Sequence, residues 1–178
     1  MRHSALPRRL AATAVAAALG LLLAGSAAAG EDEANVARCD DAVRGSGPPN
    51  WKRESERAGS VGVFRHPLRA MSRSANGQLL AKMPIIVEGH RAAIVSVPAR
   101  LRGRVFLYYG RILDRDGHPT SSFKNATGYA RTRFEPCPGR PRTPWPGGIR
   151  VKGTAPVHLT VTVEGAAPRY LRLGRPRV

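Results

Sequence analysis

Apolar positions along this chain gather in short runs cut by glycine, proline and acidic turns. The longest such stretch after the amino-terminal leader is 83–113, MPIIVEGHRAAIVSVPARLRGRVFLYYGRIL. β-Branched and aromatic residues dominate it, and breaks at Glu88-Gly89 and Pro98 divide it into three strands rather than one helix. The first two, 83–87 and 91–97, flank Glu88-Gly89-His90, which suits a hairpin turn with Gly89 at positive φ and predicts that they pair antiparallel. The third, 101–113, runs into the turn Asp114-Arg115-Asp116-Gly117.

The rest of the chain repeats this grammar. Residues 30–60 read as an irregular arm in which Gly45-Ser46-Gly47-Pro48-Pro49 stops any helix and 51–58 forms at most a short one. A strand is expected at 61–64, ended by Pro67, and loops at 68–78 and 118–127. Strand character returns at 128–136, whereas four prolines in 138–146 predict an extended surface loop. Short strands follow at 149–152, 157–164 and 169–173. The clearest alternation sets Val157, Leu159, Val161 and Val163 against His158, Thr160, Thr162 and Glu164, one face core and one face wet. About eight short strands with turns every 8 to 12 residues predict a mainly β domain over 61–178, an antiparallel β-sandwich of immunoglobulin-like general shape. A closed barrel is the alternative.

The first residues change where such a domain would work. Arg2, Arg8 and Arg9 precede an apolar run over 10–24 and the small residues Ala27-Ala28-Ala29, the layout of a secretory signal peptide at 1–29 with cleavage after Ala29. The run is shorter than the roughly 20 residues of a spanning helix, and Ser26 stands where a lipoprotein would need cysteine. No second long apolar segment follows, so no transmembrane segment is expected after cleavage. Cys39 and Cys137 are the only cysteines, and in an oxidising compartment they are expected to pair. On the chain-entropy account so long a loop is worth about 4 to 5 kcal/mol. Two separate thiols at a metal or redox site are the competing reading, without CxxC spacing or clustered histidine to support it.

Charge adds a candidate chemistry. The formal net charge is +17, and removing the three leader arginines leaves +14 for the exported part. Such a field attracts polyanions and weakens with salt. If 101–109 is one strand, Arg102, Arg104, Phe106 and Tyr108 share a face; Arg131 and Arg133 share another, as do Arg150 and Lys152. Guanidinium groups beside aromatic rings can hold phosphates, sulfates or sugar acids. The competing reading is a solvated outer face with Phe106 and Tyr108 covered by a loop. Trp51 and Trp145 are expected to pack around the disulfide at one end of the sandwich.

Other chemistry finds little footing. There is no GxSxG elbow and no paired carboxylates in a recognisable setting, so an enzyme is not expected. No cofactor motif occurs. Asp114-Arg115-Asp116-Gly117-His118 resembles half a calcium loop but lacks the closing glutamate, and a turn accounts for it. His66, His90, His118 and His158 are scattered, and Asn125-Ala126-Thr127 implies only a surface loop. No nucleic-acid recognition motif is present, which rules against a sequence-specific nucleic-acid partner. The leader, the span from Cys39 to Cys137, the run 103–110 (GRVFLYYG) and Trp145-Pro146-Gly147-Gly148 together resemble small exported proteins of unknown function from high-GC Gram-positive bacteria. That resemblance implies an exported β-sandwich and carries no site residues. The expected role is binding at the cell envelope, with an anionic wall polymer or an extracellular protein as partner.

Overall fold

The computed structural model describes residues 34–176 except 46, 65–67, 69–71, 74–76, 121 and 124–125. The expected leader, Pro67, His66 and the Asn125 sequon lie outside the described residues. The chain is mainly β. Its strands are β1 (Asn35–Ala37), β2 (Ser55–Ala58), β3 (Val61–Phe64), β4 (Ser72–Arg73), β5 (Leu79–Lys82), β6 (Ile85–Glu88) and β7 (Ala93–Ser96), then β8 (Val105–Tyr109), β9 (Arg131–Phe134), β10 (Arg142–Trp145), β11 (Gly147–Val151), β12 (Val157–Val163) and β13 (Arg169–Gly174). They form sheet I in the order β1-β9-β7-β12-β13, sheet II in the order β10-β6-β3-β2 and sheet III in the order β4-β5-β11-β8. All pairs are antiparallel except β1 with β9. Among the described residues no helix is long and apolar enough to cross a membrane.

The expected hairpin across Glu88-Gly89-His90 is not formed. Gly89 does take positive φ, at 84°, but β6 belongs to sheet II and β7 to sheet I. The turn therefore hands the chain from one sheet to another. Each strand satisfies its backbone elsewhere, β6 on β10 and β3, β7 on β9 and β12. Local pattern specifies strand, turn and strand, but partner choice rests on which apolar faces meet.

Sheets II and III are joined by a ribbon. Ile85 lies opposite Trp145 in one and Lys82 opposite Gly148 in the other, the same register on both sides of the break. That register sets Pro84 opposite Pro146. Neither has an N–H to give, so the ladder lapses there, and Met83 N–H restores it at once by donating to Gly147 O (3.0 Å). The surface loop expected at 138–146 thus holds a strand, β10. Pro144 is tolerated because β10 is an edge: its carbonyl points away from β6 and accepts from Val43 N–H at 2.9 Å.

One hydrophobic core draws on all three sheets, with Val61, Val87, Val95, Leu107, Ile149 and Leu159 among its members. At its centre Phe134 sits edge-on between Tyr109 (5.2 Å) and Trp145 (5.1 Å), and the Tyr109 hydroxyl donates to Met83 O at 2.6 Å. Burial pushes the Tyr109 phenol well above its ordinary range.

The segment expected as an irregular arm supplies β1 and β2 and covers the outside of sheet II. Helix α1 is one turn, Trp51–Glu54. The Trp51 ring meets Gly62 of β3 at its Cζ3 edge, where any Cβ would come within 2.4 Å of it, and the Arg57 guanidinium sits over the ring at 5.2 Å. The Cys39–Cys137 disulfide forms as expected, with the Cα atoms 4.9 Å apart. Trp145 packs near it, its Nε1 donating to Arg38 O (3.1 Å). Trp51 packs instead on sheet II, where Gly62 leaves room for the edge of its ring.

Candidate anion-binding face

The residues expected to bind polyanions lie on two sheets, Phe106 and Tyr108 on sheet III and Arg131 and Arg133 on sheet I. Strand β8 begins at Val105, not at 101, because Ala99–Leu101 forms a 3-10 turn after Pro98. Arg102 and Arg104 consequently stand in the turn ahead of the strand, although Arg104 O still accepts from Lys152 N–H at 2.7 Å in the register of the ladder. The cations that meet those rings come from β11. Arg150 lies directly opposite Phe106 in the ladder. Its guanidinium sits 4.9 Å from the Phe106 ring and 5.1 Å from the Tyr108 ring. Lys152 Nζ approaches Phe106 at 5.4 Å.

That sheet III face is closed. Phe123 packs on Tyr108 at 5.4 Å and fills the space left by Gly148, which lies opposite Tyr108. Gly128 comes so near that an added Cβ would sit 2.5 Å from Phe106 Cβ and 2.8 Å from the Tyr108 hydroxyl. Tyr108 is only 1% exposed. Its phenol is pushed up to about 12, chiefly by burial and against the lowering pull of Arg150. Tyr108 is thus covered, whereas Phe106 is half-buried.

Arg131 and Arg133 belong to the open face of sheet I. They alternate with buried Thr132 and Phe134 along β9. Cross-strand register fixes their neighbours. Arg131 shares a row with Ser96, Thr160 and Tyr170, and Arg133 shares the next with Val36, Ile94 and Thr162. At strand spacings of about 4.8 Å, the row from Arg131 to Tyr170 is roughly 14 Å wide. On the far side His158 faces Arg172. The Arg100 guanidinium donates to His158 Nε2 at 2.9 Å. Partial burial first, then the charges of Arg100 and Arg172, hold the His158 imidazole below its ordinary 6.5. Tyr170 is 65% exposed and stands edge-on to His158 at 6.0 Å. Glu135 answers Arg133 at 3.6 Å.

Sequence reasoning missed Arg100, Arg172, His158 and Tyr170 as members of this face. The alternation of Tyr170 and Arg172 with buried Leu171 and Leu173 was visible, but which strands lie beside β9 was not. The acidic turn behaves as a turn. Asp114 Oδ1 accepts from the N–H groups of Asp116 and His118, both at 2.9 Å, although the three side chains lie within 4.8 Å of one another. No family model, curated protein or solved structure matches the chain.

Proposed function

We propose that this is a secreted, non-catalytic β-sandwich that binds anionic polymers of the cell envelope through the open face of sheet I. The observation that carries the reading is one face of sheet I bearing Arg131, Arg133 and Arg172 among the hydroxyls of Ser96, Thr160 and Thr162, with Arg100 joined to it through His158 and an exposed tyrosine at its side. Repeated phosphates or sugar carboxylates along a chain suit such an array, because each guanidinium can take two oxygens and each hydroxyl a ring oxygen or hydroxyl. The sandwich reading is supported by a core common to all three sheets, and export by the leader pattern and a disulfide.

Isolated cell walls incubated with the oxidised mature protein test the proposal. Binding is expected at low salt and release at high salt. Arg131→Ser with Arg133→Ser should lower the salt needed for release, whereas Arg102→Ser with Arg104→Ser should leave it nearly unchanged. Equal retention of both pairs of variants would sink the assignment to sheet I. The exposed Tyr170 supports a second reading, docking of an extracellular protein, since aromatic residues among arginines anchor interfaces. Capture that survives high salt and is lost in Tyr170→Ala would favour that reading.

A further inference from the structure

A separate site lies at the mouth between sheets I and II. The β2–β3 turn, the connection from β6 to β7 and the β12–β13 end enclose an open cavity of about 340 Å³, the lower end of the range for small-molecule sites. Its walls divide by chemistry. Arg91 enters from the connection after β6 and Arg169 from the start of β13. Among the described residues neither guanidinium meets a carboxylate. Glu88, the acid in the wall, is already held by Lys52 Nζ at 2.7 Å and Arg57 Nη2 at 2.9 Å. Among the described residues the cavity therefore carries two solvent-exposed cations without a carboxylate partner.

Ser60 stands in the same wall with its Oγ buried and, among the described residues, without a hydrogen-bond partner. Its backbone is fixed, because Ser60 O accepts from Glu88 N–H at 2.8 Å. Val163 and Ala166 supply an apolar side to the same cavity. A ligand that suits these walls carries an oxyanion for the guanidinium groups, a hydroxyl for the Glu88 carboxylate and a C–H surface for Val163 and Ala166.

We infer that this cavity binds a single anionic monosaccharide, one bearing a carboxylate or a phosphate. It shares no residue with the face of sheet I, so either site can fail alone. Calorimetric titration of the oxidised protein with glucuronate, glucose 6-phosphate, inorganic phosphate and glucose tests it. Saturable binding of the acidic sugars is expected, about tenfold tighter than phosphate or glucose, since each of those lacks one set of contacts. Arg91→Ser with Arg169→Ser should weaken binding about tenfold or more. Arg131→Ser with Arg133→Ser should leave sugar binding unchanged while lowering wall retention. The inference is overturned if neither acidic sugar saturates, if phosphate or glucose binds equally well, or if the folded Arg91 and Arg169 variant binds as the parent does.

Discussion

Sheets I and III both set arginine beside an aromatic ring, and they differ in what lies on top. On sheet III, Phe123 and Gly128 press onto Phe106 and Tyr108, and Arg150 is folded over the rings from the neighbouring strand. On sheet I nothing among the described residues packs over Tyr170, and its neighbours in the ladder are a threonine and, beyond it, a serine and Arg131. The same pair of residue types thus serves packing in one place and leaves a wet, charged surface in the other. Arginine beside an aromatic residue in a sequence says little until the cover over the ring is known.

The largest contrast should come from the two tyrosines. Tyr108→Ala empties a closed site and is expected to cost about 3 to 5 kcal/mol in denaturant unfolding, whereas Tyr170→Ala should stay within about 0.5 kcal/mol. Equal losses would erase the distinction between the faces. A smaller effect is expected at the cations. Arg150→Met keeps the stem over the rings and removes the charge, which should cost about 0.5 to 2 kcal/mol in the same assay. Arg172→Met should change stability little, and a larger loss there would show that the open face is also structural. The smallest effect concerns pH. Burial, Arg100 and Arg172 hold folded His158 below 6.5, so the unfolded chain takes up the proton first as pH falls. Its contribution is present above about 6.5 and is lost as pH drops through the lower folded value. His158→Gln should flatten that part of the stability curve. Lowered stability on the alkaline side instead would contradict the sign.

Strands were legible where one face is core and the other wet. The alternation in 157–163 is strand β12 with Val157, Leu159 and Val161 buried, and 61–64 is strand β3. The disulfide was legible because only one pairing is possible. The face was half legible. Arg131 and Arg133 alternate with buried residues within four positions, but Arg172 and Tyr170 join them through two intervening strands, a relation set by tertiary pairing. Misjudgements arose where short-range rules met a long-range partner: Gly89 turns as expected yet leads to another sheet, and Pro144 sits in a strand because that strand has a free edge. The strand expected from 101 starts at Val105 because Pro98 opens a 3-10 turn that holds Leu101 out of it.

The facing prolines of the ribbon bear on how the protein comes apart. Two sheets that share one register across Pro84 and Pro146 have no seam at which either could open while the other stays paired, since β5 and β6 are one strand in two pieces and β10 and β11 are the other. Disengaging β10 from β6 pulls on Gly147 and Met83, whose hydrogen bond begins the next sheet. Sheets II and III are accordingly expected to open as one cooperative unit, with amide protons on both sides of the prolines exchanging at a common rate in hydrogen-exchange measurements.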